Sequence, residues 1–145
     1  MLIPGRCHCG NIAWTLVWEP DPVEILARAC TCSFCVKHGG VWTSNPGGRL
    51  EVRTTDVALA SRYRFGTKTA DFHVCTRCGV VPVVSCEIDG RRHAVVNVNT
   101  IENTDRDLFR HGSASFDGEG TGDRLARRAR YWIPDVRFAP DSALR

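Results

Sequence analysis

Cys75-Thr76-Arg77-Cys78-Gly79 is a C-x-x-C turn closed by a glycine, the most informative stretch of the chain. Such a turn aims two thiolates at one point about 2.3 Å from each sulfur, and the glycine permits the tight backbone that the turn needs. Two more clusters precede it, Cys7-His8-Cys9-Gly10 and Cys30-Thr31-Cys32-Ser33-Phe34-Cys35, so that seven of the eight cysteines are grouped. A C-x-C pair closes only a strained disulfide, but it can grip one ion from a bent backbone. Four thiolates around one point select zinc. Seven ligands therefore divide into one complete site and one site of three. A closed four-ligand zinc is structural, whereas three protein ligands with an open fourth position are the pattern of catalytic zinc. Two zinc ions per chain are expected. Spacing alone leaves the pairing of clusters open, since a zinc-ribbon arrangement would join Cys32 and Cys35 with Cys75 and Cys78 and leave Cys7 and Cys9 spare. It also leaves open whether His38, His73 or Cys86 closes the second site. Cys86, inside the apolar run Val80–Ile88, reads first as a small buried hydrophobe.

The rest of the composition bounds the answer. At 145 residues, with 43% hydrophobic and 24% charged content, the chain is long enough for a real core, and disorder, collagen and coiled coil are excluded. One domain over 1–145 is expected, with a core over 5–103 and a loop and helix over 104–145. The formal charge of +3 is too small a surplus to argue for nucleic acid or an anionic membrane, which call for a clustered basic face. Met1 to Gly10 holds no apolar run, and no apolar stretch approaches the roughly 18–20 residues that span a bilayer. A cytoplasmic protein is expected, and in a reducing compartment dense cysteines mean metal or catalysis more often than bridges.

Short runs rich in Val, Ile, Trp and Tyr predict an all-β, mostly antiparallel fold. Strands are expected at Asn11–Trp18, Ala27–Cys30, Val41–Ser44, Arg49–Val52, Ala58–Arg64, Ala70–Val74, Val80–Ile88 and His93–Asn99, separated by Pro, Gly and Asn turns. Asp89-Gly90 is the clearest hairpin signal, because a type I′ turn needs positive φ at both central residues. Phe109–Thr121, rich in glycine and serine, reads as a loop. A short helix is expected over Arg124–Tyr131, capped by Asp123, ended by Pro134 and turning Leu125, Ala126 and Ala129 inward.

The order C-x-C-G, then C-x-C-x-x-C, then Phe72-His73-Val74-Cys75-Thr76-Arg77-Cys78-Gly79, then Val95-Val96-Asn97-Val98-Asn99-Thr100 resembles the glutathione-dependent formaldehyde-activating enzyme family, which includes centromere protein V. The resemblance runs from about Gly5 to Asn103. It implies a tent-like antiparallel β fold stapled by zinc, with Cys7, Cys9, Cys75 and Cys78 on a structural ion and Cys30, Cys32 and Cys35 on a second, catalytic-type ion. It further implies carbon–sulfur lyase chemistry that joins glutathione to formaldehyde as S-hydroxymethylglutathione. Glutathione carries two carboxylates, which makes the basic residues near the clusters candidates to receive them: Lys37 and Arg77 first, then Arg28, Arg62 and Arg64. The chain departs from the family in carrying Thr31 where many members have His, and Val36 where many have a basic or amide residue; Lys37 and Gly40 fit.

A reading from another class is a non-catalytic zinc module that binds a protein or nucleic acid. It rests on Arg124-Leu125-Ala126-Arg127-Arg128-Ala129-Arg130, four arginines in seven residues. A solvated helix face is the first explanation of that run, and no aromatic residues alternate with the basic ones as single-strand binding requires.

Overall fold

The structure, a computed structural model, describes residues 1–139. The end of the expected 104–145 segment, residues 140–145, lies outside the described residues. In chain order the elements are β1 (Leu2–Arg6), β2 (Ile12–Val17), β3 (Ile25–Cys30), α1 (Ser33–His38), β4 (Val41–Thr43), β5 (Arg49–Thr54), β6 (Ala60–Tyr63), β7 (Ala70–Cys75), β8 (Val83–Ile88), β9 (Arg91–Asn97), β10 (Phe109–Ala114), α2 (Thr121–Tyr131) and β11 (Asp135–Phe138). They form two sheets, β1-β2-β5-β11 and β10-β3-β4-β9-β8-β7-β6. The fold is all-β, as expected.

Period-two alternation decides which faces meet. On β2, Ile12, Trp14 and Leu16 are buried and the residues between them are not. These side chains pack with Leu50 and Val52 of β5 against Val83, Ala94 and Val96 of the larger sheet, and this is the main core. Strands β8 and β9 are buried on both faces, with Val83 to Cys86 consecutively hidden. Their second face, through Val84 and Val95, joins Cys35, Trp42, Ala70 and Val81 in a separate cluster on the opposite side of the sheet. Doubly covered strands lose alternation, and Val80–Ile88 accordingly reads as a continuous apolar run.

Asp89 and Gly90 have φ of 50° and 77°, and Ile88 pairs with Arg91 across them, the two-residue hairpin that the Asp-Gly signal predicts. Gly5 lies against Trp14 so closely that a Cβ there would meet the indole Cζ2 at 2.1 Å. Glycine is therefore required at this point in β1 for space.

Several expectations are corrected. The first half of Phe109–Thr121 is a strand, β10, running parallel to β3. It sits at a sheet edge with most of its residues exposed, so backbone pairing holds it without a hydrophobic signature. The pairing of β11 with β5 is also parallel; the other ladders among the described residues are antiparallel. Helix α2 begins at Thr121 after Gly120, which offers no capping side chain, and Asp123 lies in the first turn, where its charge suits the helix dipole. Ala126 and Ala129 are exposed, and the inward face carries Arg124, Arg127 and Arg128 instead. Long arginine stems bury while their heads reach polar space. No helix among the described residues is long and apolar enough to cross a membrane.

Candidate metal centres and the cavity beside them

Each cysteine turn is built locally. Cys7 follows β1, and Gly10, with φ of 85°, donates its N–H to the Cys7 carbonyl at 3.0 Å. Cys75 ends β7, and Gly79, with φ of 79°, does the same to the Cys75 carbonyl at 2.7 Å. Both turns use glycine in the left-handed region, where a side chain would be strained. The packing of the two sheets then brings the turns together. The sulfurs of Cys7, Cys9, Cys75 and Cys78 all lie within 4.8 Å of one another. Cys7 and Cys9 sulfurs are 3.8 Å apart, and Cys9 and Cys75 sulfurs 3.5 Å. Tetrahedral coordination with Zn–S bonds of about 2.3 Å places sulfurs about 3.8 Å apart, so the donor set fits a zinc ion. The Ile12 N–H donates to the Cys7 sulfur at 3.3 Å, a bond of the kind that orients a thiolate ligand.

The other three cysteines group on one local segment. Cys30 ends β3, Cys32 caps α1 by accepting from the Cys35 N–H at 3.4 Å, and α1 closes at Gly39 in a left-handed conformation. A six-residue helix gives too short a period to be read from sequence, which is why α1 was not expected. The sulfurs of Cys30, Cys32 and Cys35 lie within 4.8 Å of one another, and no His, Cys, Asp or Glu among the described residues joins them. His38 stacks beside Phe34, with ring centroids 4.3 Å apart, and its buried Nε2 has no hydrogen-bond partner. His73 bonds Ser85 at 2.7 Å and packs on Phe138. Cys86 accepts from Arg128 at 3.4 Å. None of the three closes the second set in this geometry.

The thiols share their protons unevenly. Burial pushes Cys7 up to about 12. Cys78 is brought down to about 6: burial opposes the shift, and backbone N–H groups of Cys9 and Val80 with neighbouring thiols outweigh it. In the second set, a bond from the Cys35 thiol lowers Cys30 to about 5, assisted by the Cys32 backbone and the Arg127 charge against desolvation. Cys35 is raised by the same pairing and by burial, while the Trp42 Nε1–H donates to its sulfur at 3.4 Å. In each set one sulfur, Cys78 or Cys30, is thus drawn toward the thiolate, the form that binds metal.

A cavity of about 720 Å³ opens beside Cys30, Cys32 and Cys35. Trp42, Phe65, Phe72 and Trp132 supply apolar wall, and Arg28, Arg124, Arg127 and Arg128 line it as well. Of the basic residues expected to meet a substrate, only Arg28 is there. Lys37 is exposed on α1 and Arg77 is exposed on the Cys75–Cys78 turn, and neither lines the cavity. Arg62 is exposed on β6, and Arg64 is ion-paired with Asp71. The arginines of α2 were missed as site residues because the run reads as a solvated face. Their i, i+3, i+4 spacing at 124, 127 and 128 was the available signal. Glu119 binds Arg127 through two bonds of 2.9 and 3.1 Å and reaches Arg124 at 3.7 Å, and the Arg127 guanidinium lies 3.6 Å from the Phe116 ring centroid. Arg124 and Arg127 are thus held against the fold by Glu119 and Phe116, while Arg130 is exposed.

The chain is similar to a Rhodobacter sphaeroides protein of known crystal structure, at 28% identity and a TM-score of 0.58, over 77% of this chain and 99% of that one. A family model, glutathione-dependent formaldehyde-activating enzyme, matches residues 2–113, which include all seven clustered cysteines and stop short of α2. The cysteine sets, the two-sheet fold and this match together place the chain in the glutathione-dependent formaldehyde-activating enzyme family.

Proposed function

We propose that the chain is a two-zinc enzyme of carbon–sulfur lyase type, acting on a small thiol adduct such as S-hydroxymethylglutathione. One observation carries this reading: three converging thiols without a fourth protein ligand among the described residues border a cavity large enough for a small-molecule substrate. Cys7, Cys9, Cys75 and Cys78 would hold a structural zinc, and Cys30, Cys32 and Cys35 the second. A zinc ion on the second set supplies Lewis acidity and favours the thiolate form of a bound thiol. In the synthetic direction a carbon–sulfur bond forms between thiol and aldehyde, the thiol proton ends on the aldehyde oxygen, and no electron is gained or lost.

The chain's own residues serve that exchange by position and field. Arg127 favours negative charge at Cys30, and the Trp42 Nε1–H donates to Cys35, so both groups would favour the metal-binding form of the ligand sulfurs. Trp42, Phe65 and Phe72 present apolar surface, which limits water around the reacting atoms. Residues 1–145 would act as one domain, in a reducing cytoplasm where the thiols persist.

The test is exchange between glutathione and its hydroxymethyl adduct, followed by NMR with zinc-loaded protein. Faster exchange than in buffer is expected. An exchange rate unchanged by saturating protein would refute this substrate.

A further inference from the structure

Arg128 stands apart from the other arginines of the cavity. Its residue is only 7% exposed, and its guanidinium lies 4.9 Å from the Trp132 ring centroid. Nη1 donates to Thr69 Oγ1 at 2.8 Å and to the Cys86 sulfur at 3.4 Å, while the buried Nε has no partner. Among the described residues no carboxylate pairs with Arg128 or Arg28, whereas Glu119 already takes Arg124 and Arg127. An arginine buried without a counter-charge is costly, and it stays charged because guanidinium does not deprotonate in proteins. The bonds at Nη1 and the indole contact hold the guanidinium in place before any ligand arrives.

We infer that Arg128 is the centre of an anion subsite in the cavity wall, which receives a carboxylate of the thiol substrate and makes that carboxylate a condition of binding. A guanidinium can meet a planar carboxylate with parallel bonds, and Arg128 lines the cavity. Arg28, half-buried in the same wall and bonded to Ser44 Oγ at 3.4 Å, adds a second uncommitted positive charge. One or two free guanidinia match one or two carboxylates. The inference rests on the proposed reaction for the word substrate, but the residues that carry it lie elsewhere in the chain. Arg128 is on α2, outside residues 2–113 that match the family. Sulfur chemistry would thus belong to the shared cysteine core, and selection for an acidic thiol to the C-terminal helix.

The probe is S-methylglutathione, whose sulfur has no proton to lose, compared with its diamide, which keeps the α-ammonium but has no carboxylate. Both are titrated by calorimetry into the zinc-loaded protein and into Arg128→Met and Arg128→Lys, with melting temperatures as a control on folding. The parent is expected to bind the acid at least about tenfold more tightly than the diamide. Arg128→Met should lose that preference, and Arg128→Lys should keep part of it. Equal binding of acid and diamide by the parent, binding of neither, or an undiminished preference in folded Arg128→Met would overturn the subsite. The two readings fail separately. Accelerated exchange with no acid preference would leave the reaction and remove the subsite; an Arg128-dependent preference with no exchange would do the reverse.

Discussion

Replacing Cys78 with serine tests the division of labour between the two cysteine sets. Cys7 follows a strand of the four-stranded sheet and Cys75 ends a strand of the seven-stranded one, so a metal on the four sulfurs staples sheet to sheet. Cys9 and Cys75 are 66 positions apart. By the chain-entropy relation for a cross-link, closing a loop of that length is worth about 4 kcal/mol. For a domain of this size each kcal/mol moves the melting temperature by roughly 2–4 °C, so Cys78→Ser should melt roughly 8–16 °C below the parent. Cys78 is only partly buried, so exchange of its sulfur for oxygen adds little packing loss of its own. Cys30, Cys32 and Cys35 fall within six consecutive residues and close no long loop, so Cys32→Ser should melt within about 2–3 °C of the parent while losing exchange activity. Calorimetric melting combined with zinc analysis reads both variants, and each should retain one zinc per chain. A Cys78→Ser protein that melts with the parent would refute the staple; a Cys32→Ser protein that falls as far as Cys78→Ser would refute the contrast.

Three further outcomes are expected. Gly5→Ala forces a Cβ into the indole of Trp14, which is 3% exposed, and should cost about 1–3 kcal/mol by chemical denaturation; an unchanged midpoint would mean that the ring yields freely. Glu119→Gln removes the paired acceptor of Arg127 and a partner of Arg124, and should destabilise the protein by about 1–2 kcal/mol, read as earlier amide exchange in α2; protection equal to the parent would show the clamp to be idle. The Asp71 carboxyl is held below its ordinary value by its bond to Arg64, against the opposing effect of burial. A depressed folded pKa stabilises above the unfolded value of about 3.9 and loses that stabilisation as pH falls through the lower one. Asp71→Asn should therefore melt slightly below the parent at pH 7, and the gap should narrow below about pH 4; a gap that is constant from pH 7 to pH 3 would contradict this.

The signals that could be read early are the short-range ones. A C-x-x-C-G turn carries its own geometry, Asp89-Gly90 carries its hairpin, and alternation on β2 and β5 carries the face that each turns to the core. The elements that escaped are held by long-range pairing. Strand β10 is an edge whose hydrogen bonds go to β3, about eighty residues earlier, and its side chains are mostly solvated. Strand β11 likewise depends on β5.

The cysteine sites divide along the same line. That seven thiols in three clusters exceed one tetrahedral site by three is legible along the chain, because ligand count and turn geometry are local properties. Spacing left the pairing of the clusters open; the family resemblance implied one pairing, and the packed sheets bring those four sulfurs together. Which arginines face the cavity, by contrast, depends on the packed fold. Helix periodicity places Arg124, Arg127 and Arg128 on one side, but whether that side meets solvent or the three-cysteine cavity depends on where α2 docks. That docking is set by contacts such as Arg128 with Thr69 and Cys86, which lie far away along the chain.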